Sequence, residues 1–314
     1  VATTLLSLAY MLALPGALIA GGLVMEFVDR KLHARLQHRE GPPWYQPLAD
    51  SVKLLTKEEL VPEDADPLVF KLVPVFALAA AITTYFYVPL WGTQALFSFE
   101  GDAVVVLYLL TIPTLCFFLG GWFSSSIFAA IGSVRLLTQL FAYEVPLLMA
   151  VLGPAVLAGT WSLSGMAAFH VEHPVLALVN LPGLAIALVA LLGKLEKAPF
   201  DIPEAETELA GGTFTEYSGK LLALFRMTIN VEAVVGASLL AAVFLPWGMD
   251  LHPVAVCVLL VAKVLFVVFL LALARTIFAR MRIEQMVLFC WRWLAPAALL
   301  QLLLNVVLAG VLAP

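Results

Sequence analysis

Ionisable side chains are scarce in this sequence, and where they occur they cluster. Six carboxylates fall between positions 196 and 216: Glu196, Asp201, Glu204, Glu206, Glu208 and Glu216. Four further charges, Glu144, Arg226, Glu232 and Lys263, lie inside long apolar runs. A charge in hydrocarbon costs about 2.5–3.5 kcal/mol or more, so each marks an ion or proton pathway, or a fixed pair. Carboxylates and amines strung along a path can hand on protons, which is conduction rather than bond-making, and no catalytic residue is assigned. Helix ends account for part of the acidic run. Pro203-Glu204 reads as the first turn of a helix, and Thr213-x-x-Glu216 as a capping box. Four acids exceed that need and favour a partner surface or a proton path.

The elements that must position these groups are membrane spans. Of 314 residues, 62% are hydrophobic and only 12% charged, about half the charge a water-facing domain carries. Apolar runs of about 20 residues, the length that crosses a bilayer core, recur near 4–26, 68–91, 103–123, 136–158, 174–195, 219–245, 254–275 and 288–311. The expected fold is an all-α integral membrane protein of eight transmembrane helices, 1–314 forming one membrane domain. The first run is too long for a signal-peptide core and has no basic residue before it.

Orientation follows from the basic residues. Six lie between Arg30 and Lys57; Lys71, Arg135, Lys194, Lys197, Lys220, Arg275, Arg280, Arg282 and Arg292 flank alternate loops. With eight spans, every basic loop falls on one side, which the positive-inside rule makes cytoplasmic. Both termini then lie on the non-cytoplasmic side. The opposite loops carry Glu100, Asp102, Glu172 and Asp250.

Helical rise sets depth. Glu144 stands roughly 13 Å into its span, Arg226 and Glu232 roughly 10 and 20 Å into theirs, and Lys263 roughly 14 Å in from the other side. Glu232 and Lys263 are thus level on adjacent antiparallel spans. They either form a buried ion pair or face water and exchange protons. Glu216, Arg226 and Glu232 form a ladder from the acidic loop inward, with Glu144 as a second branch; a fixed structural network is the alternative. Pro15, Pro113, Pro146, Pro154 and Pro182 interrupt spans, which neighbouring helices or water must compensate. Cys116, Cys257 and Cys290 stand singly, without the spacing of an iron–sulfur site. The five histidines are placed in loops, so no haem ligation, no metal and no cofactor held by this chain is expected.

Two cytoplasmic segments organise the rest. Residues 28–67 form a loop in which Leu48, Val52 and Leu55 recur at helical spacing after Trp44 and Tyr45. That pattern is an amphipathic helix, either lying at the membrane interface or packed as a short surface helix on the spans. Residues 194–219 form the acidic coupling loop.

The sequence resembles the NADH dehydrogenase subunit 1 family of complex I and its relatives in energy-converting membrane-bound hydrogenases and formate hydrogenlyases. The likeness rests on Arg39-Glu-Gly-Pro-Pro-Trp-Tyr-Gln-Pro-Leu-Ala-Asp-Ser-Val-Lys-Leu-Leu-Thr-Lys-Glu58, Gly120-Gly-Trp-Phe-Ser-Ser-Ser126, Gly132-Ser-Val-Arg135 and Tyr143-Glu-Val-Pro146. Above all it rests on Ala198-Pro-Phe-Asp-Ile-Pro-Glu-Ala-Glu-Thr-Glu208 with Thr215-Glu-Tyr-Ser-Gly219. Glu144, Asp201, Glu204, Glu206, Glu208, Glu216 and Arg135 match family positions. Arg226 within Leu222-Ala-Leu-Phe-Arg226, the Phe244-Leu-Pro-Trp-Gly248 run and Lys194-Leu-Glu-Lys197 depart from complex I toward the hydrogenase branch. Arg280-Met-Arg-Ile-Glu-Gln285 is shared with complex I.

The resemblance implies a heel subunit in the cytoplasmic membrane of a prokaryote, docking an iron–sulfur redox arm and antiporter-like membrane subunits. Electron transfer next door would be coupled to proton or sodium movement through Glu144, Glu196, Asp201, Glu204, Glu206, Glu208, Glu216, Arg226, Glu232, Lys263 and Arg135. Iron–sulfur clusters would sit on partners. Arg35, Arg39, Trp44, Tyr45, Asp50 and Lys53 are the candidate contacts for the redox arm or a quinone. Two alternatives stay open: the matching membrane subunit of a true NADH-quinone oxidoreductase, lining a quinone site, and a stand-alone transporter or channel.

Overall fold

The computed structural model describes the backbone of residues 2–312 apart from 91, 205 and 250, and side chains from residue 13 onward except those at 206, 207, 253 and 312. Asp250 therefore lies outside the described residues, as does the side chain of Glu206. The described residues form helices joined by turns and irregular loops, without strands. Six stretches are long and apolar enough to cross a membrane: Pro67–Tyr85 (α3), Asp102–Trp122 (α4), Ile127–Ala158 (α5), Gly219–Phe244 (α10), Val254–Ile277 within helix Pro253–Ile277 (α11), and Ile283–Val311. The last joins Ile283–Phe289 (α12) to Ala295–Leu312 (α13) through a π-helical turn at Cys290–Leu294.

The other two expected spans differ from this group. Helix α1 runs Ala2–Leu36, well past the expected limit, and carries Glu26, Asp29 and Arg30 in its later turns. The expected fifth span is broken at Asn180 into Pro174–Val179 (α7) and Leu181–Lys194 (α8). Pro182, in the first turn of α8, has no N–H to continue the ladder. Pro15 in α1, Pro113 in α4 and Pro146 and Pro154 in α5 do not break their helices, a departure from the interruptions expected there, and Pro74 leaves α3 whole as well.

Helix α10 is the central post, packed by α1, α3, α8 and α11, while α5 packs against α4, α8 and α13. The short helix α2, Gln46–Thr56, rests on α10 and α1. Its Leu48, Val52 and Leu55 face outward with Trp44 and Tyr45, so the apolar stripe is not what holds α2 to the bundle.

Two buried polar knots tie the far end from the acidic loop. Asp102, fully buried at the start of α4, accepts from Leu163 N at 2.6 Å and from Ser98 and Ser162 hydroxyls at 3.2 and 3.3 Å. Leu163 begins α6, Leu163–Glu172. The second knot joins His170 of α6, Asn180, and Gln301 and Asn305 of α13; Asn305 Nδ2 donates to Asn180 Oδ1 at 2.8 Å, and Asn180 Nδ2 stands 3.1 Å from His170 Nε2. His170 is therefore a buried helical residue, and His33 lies in the last turn of α1, against the expectation that all histidines sit in loops. Amide and imidazole groups suit this use, because they satisfy one another in hydrocarbon without carrying net charge.

Candidate coupling site

The acidic loop is folded into the bundle. At its start, Gln139 of α5 donates from Nε2 to Gly193 O at 2.7 Å and Phe200 O at 2.9 Å, closing the turn that leaves α8. Past Ile202 the chain enters a seat between α4 and α5. A Cβ at Gly132 would stand 2.8 Å from Thr213 N, so only a residue without one lets the backbone pass. Gly212 has φ +56, and a Cβ there would meet Pro203 O; both constraints select glycine. Phe214 packs edge-on against Phe117, and Tyr217 stacks on Phe70 with centroids 4.0 Å apart.

This packing replaces two expected local structures. Thr213 lies in a single 3-10 turn, Gly212–Phe214, and its hydroxyl is buried without a hydrogen-bond partner, so no capping box with Glu216 forms. Pro203 and Glu204 lie in a turn ahead of the four-residue helix Glu206–Leu209 (α9), not in a helical first turn.

Four carboxylates around a vestibule of about 520 Å³ each have a cation. Asp29 meets Lys197 at 2.9 Å and Arg275 at 3.2 Å; Asp201 meets Arg280 at 3.1 Å; Glu204 meets Arg226 at 2.9 Å; Glu26 meets Arg30 and accepts from Asn230 at 2.6 Å. Burial disfavours the charge of Asp29, but Lys197 and then Arg275 outweigh it and hold its carboxyl below the ordinary range. Arg226 also lies over the Phe214 ring, 5.8 Å from its centroid, a cation–π distance.

Glu196 lines the same vestibule and differs from these four. Only 8% of it is exposed, and both carboxylate oxygens are buried without a hydrogen-bond partner. Its backbone takes the left-handed conformation, φ 51, a cost of about 1–3 kcal/mol for a non-glycine residue. Burial, then the nearby Glu204 and Glu232, push its carboxyl well above the ordinary value.

Behind Glu196 lies the innermost charge pair. Lys194, the last residue of α8, places Nζ 3.0 Å from Glu232 Oε1 on α10, with both side chains 1% exposed. The ammonium also donates to Leu110 O and, at 3.4 Å, to Thr114 Oγ1, which is 3.3 Å from the Tyr143 hydroxyl. Glu144 is half-buried on α5, within electrostatic reach of Lys194 and Glu232, and its Oε2 has no hydrogen-bond partner.

The expected Glu232–Lys263 pair is therefore not formed. Lys263 lines a small separate cleft with Gly248 and Met249 and has no ion pair among the described residues. The ladder changes too: Arg226 turns to Glu204 at the vestibule, and Glu216 is half-buried without an ion pair among the described residues. Arg135 binds Glu208 at 2.7 Å, and this guanidinium's hydrogen bond and charge hold the exposed Glu208 carboxyl below the ordinary range.

Of the α2 candidates, Asp50 bridges to the vestibule through Arg30 at 3.0 Å. Trp44, Tyr45 and Lys53 are exposed, and Arg35 and Arg39 have no ion pair among the described residues. Sequence reasoning missed Lys194, Asp29, Glu26, Asn230 and Gln139 as parts of the site. Asp29 could have been found: an acid among Arg30, Lys31 and Arg35, one helical turn past Glu26, reads as a pairing group.

The site is thus an acidic loop folded against a buried lysine–glutamate pair within a helical bundle whose spans are long enough to cross a membrane. The profile of the family described as NADH dehydrogenase matches residues 8–306, and the chain belongs to that family. It is 33% identical over 315 residues to NADH-quinone oxidoreductase subunit 8 of Thermus thermophilus, covering 94% of this chain and 86% of the relative. It is 35% identical over 303 residues to the matching NADH-quinone oxidoreductase subunit of Thermomicrobium roseum, covering 88% of each. A chain of the membrane-bound sulfane sulfur reductase, an archaeal respiratory membrane complex, has the same fold: TM-score 0.84 at 26% identity, covering 95% of this chain and 99% of that one.

Proposed function

We propose that this chain is the heel subunit of a hydrogenase-type member of the complex I-like complexes, docking an iron–sulfur redox arm and coupling its electron transfer to proton or sodium movement. The observation that carries this reading is the continuity from the vestibule, through Glu196, to the Lys194–Glu232 pair. A change of charge on a docked partner acts on carboxylates whose ionisation depends on their neighbours. Asp201, Glu204, Glu206, Glu208, Glu216 and Arg135 then belong to the docking side, and Glu144, Glu196, Arg226 and Glu232 to the path, with Lys263 on its far side. The subunit performs no bond chemistry itself.

In this reading α1 and the α7–α8 pair complete eight spans in a prokaryotic cytoplasmic membrane, with both termini on the non-cytoplasmic side. The outward stripe of α2, with Trp44 and Tyr45, supports its lying at the cytoplasmic interface. Iron–sulfur clusters reside on partners. A quinone head group does not fit the vestibule, whose lining is mostly ionisable groups already paired with one another. The names of the curated relatives favour a second reading, the matching membrane subunit of an NADH-quinone oxidoreductase.

Purification from native membranes in mild detergent tests both. Co-purification of iron–sulfur subunits with a nickel-cysteine large subunit supports the hydrogenase branch. An NADH-binding subunit supports the second reading. Recovery of the chain alone, with ion transport intact, overturns both in favour of a stand-alone transporter.

A further inference from the structure

The charges beside the vestibule do not balance. Glu26, Asp29, Asp201 and Glu204 each meet a guanidinium or ammonium. Farther in, the cation that pairs with Glu232 among the described residues is Lys194, with Glu144 and Glu196 also in its field. Three carboxylates around one ammonium cannot all ionise in surroundings this buried without another positive charge, because an unpaired buried charge is costly.

Glu196 is where that positive charge can be exchanged. It is the member of the three that lines the vestibule, and it is also within electrostatic reach of the pair. The groups facing it are Glu204 from its own loop, Arg226 and Glu232 from α10, Lys194 from α8 and the Tyr143 hydroxyl from α5. Its oxygens receive no hydrogen bond from any of them, so nothing in the fold replaces the proton a neutral carboxylic acid would carry.

We propose that Glu196 is the proton-loading residue of this subunit, carrying a proton between the vestibule and the buried Lys194–Glu232 pair. The inference rests on the coupling role proposed above and assigns it an entry point and an ion. Loading forms one O–H bond, between a proton from vestibule water and a Glu196 carboxylate oxygen. Unloading breaks that bond as the proton passes to the Glu232 carboxylate, leaving Glu196 ionised again and the Lys194 ammonium unchanged. No electrons move in either step. A metal cation is the poorer occupant, because the Lys194 ammonium and the Arg226 guanidinium already act on Glu196, and like charges repel in a buried site. The Glu204–Arg226 pair at the mouth fixes the potential that Glu196 meets. A partner that draws Arg226 away would therefore favour loading.

The test uses the intact complex, purified from its membranes and reconstituted into vesicles. Infrared difference spectra over a pH titration should show a protonated carboxyl that persists well above the ordinary glutamate value of about 4.3. Glu196→Gln should remove one component of that signal, distinct from the component that Glu144→Gln removes, and abolish ion movement per electron, while the redox arm continues to turn over with soluble donor and acceptor. Glu204→Gln should leave the band in place and shift its midpoint.

An unchanged band in Glu196→Gln, with no component lost, or full coupling in that variant, overturns the proposal. So does a wild-type signal insensitive to pH and displaced by sodium. If Glu196→Gln does not assemble, the wild-type titration still decides, since absence of any such carboxyl overturns the proposal. Loss of coupling in Glu144→Gln and Glu232→Gln with coupling intact in Glu196→Gln defeats only this inference. Full coupling in all three variants defeats the coupling role itself.

Discussion

Lys194 and Glu232 face each other at 3.0 Å from helices α8 and α10, each side chain 1% exposed. Removing one partner of such a pair leaves an uncompensated buried charge, which costs about 3–5 kcal/mol. Lys194→Met should therefore destabilise the subunit by about that amount, read as a lower midpoint of thermal aggregation in detergent. The double variant Lys194→Met with Glu232→Leu should recover most of the loss, since apolar replacement of both partners is often neutral.

Glu196 gives a pH dependence whose sign is fixed. Its folded carboxyl titrates above the unfolded one, so the chain's stability is highest below the unfolded value of about 4.3. Stability declines as pH rises through the folded value. Glu196→Gln removes the titration. The variant should match the parent under acid conditions and exceed it at neutral and alkaline pH, as measured by unfolding midpoints across a pH series.

The seat of the acidic loop is sterically exact at Gly132. Gly132→Ala places a methyl group 2.8 Å from Thr213 N, and overpacking of this kind costs about 1–3 kcal/mol. The backbone at 212–213 must retreat and carry Asp201, Glu204 and Glu208 with it. The expected result is weaker retention of the redox arm on a tagged chain, while the spans still insert.

Asp102 makes the opposite end testable. Asp102→Ala strands the buried Leu163 N–H, while the Ser98 and Ser162 hydroxyls, 3.0 Å apart, keep each other; a single stranded buried group costs about 1–3 kcal/mol. The loss should appear as increased proteolysis near 95–102 and 159–165. Ion coupling in the surviving protein should be unchanged, because no described contact links this knot to the vestibule.

Much of this arrangement was legible in the letters. Charge scarcity and apolar runs revealed a membrane bundle, and the acidic run from Glu196 to Glu216 identified the loop that the structure folds against the charged core. The partner of Glu232 was not legible, because spacing gives depth along a helix but not direction around it. Lys263 is level with Glu232 in the sequence reading, yet it turns to a different cleft. A lysine closing an apolar run, as Lys194 does, reads as a surface anchor. Whether it turns outward or inward depends on α4 offering Leu110 O and Thr114 as acceptors, and that is tertiary information. Asp29 and Lys197, 168 positions apart, carry no local signal of each other. The break at Asn180 lay in view at Pro182, but prolines inside α3, α4 and α5 leave those helices whole, so the residue alone does not decide.

The seat at Gly132 and Gly212 also bears on how such a chain tolerates change over generations. Any point mutation at either codon that replaces the residue with another adds at least one carbon where backbone already stands, so neither position has a neutral amino-acid replacement one base away. The exposed Glu208, held only by Arg135, has several. Natural variants of this chain should therefore vary in the charges a partner reads while keeping the two places that carry no charge at all.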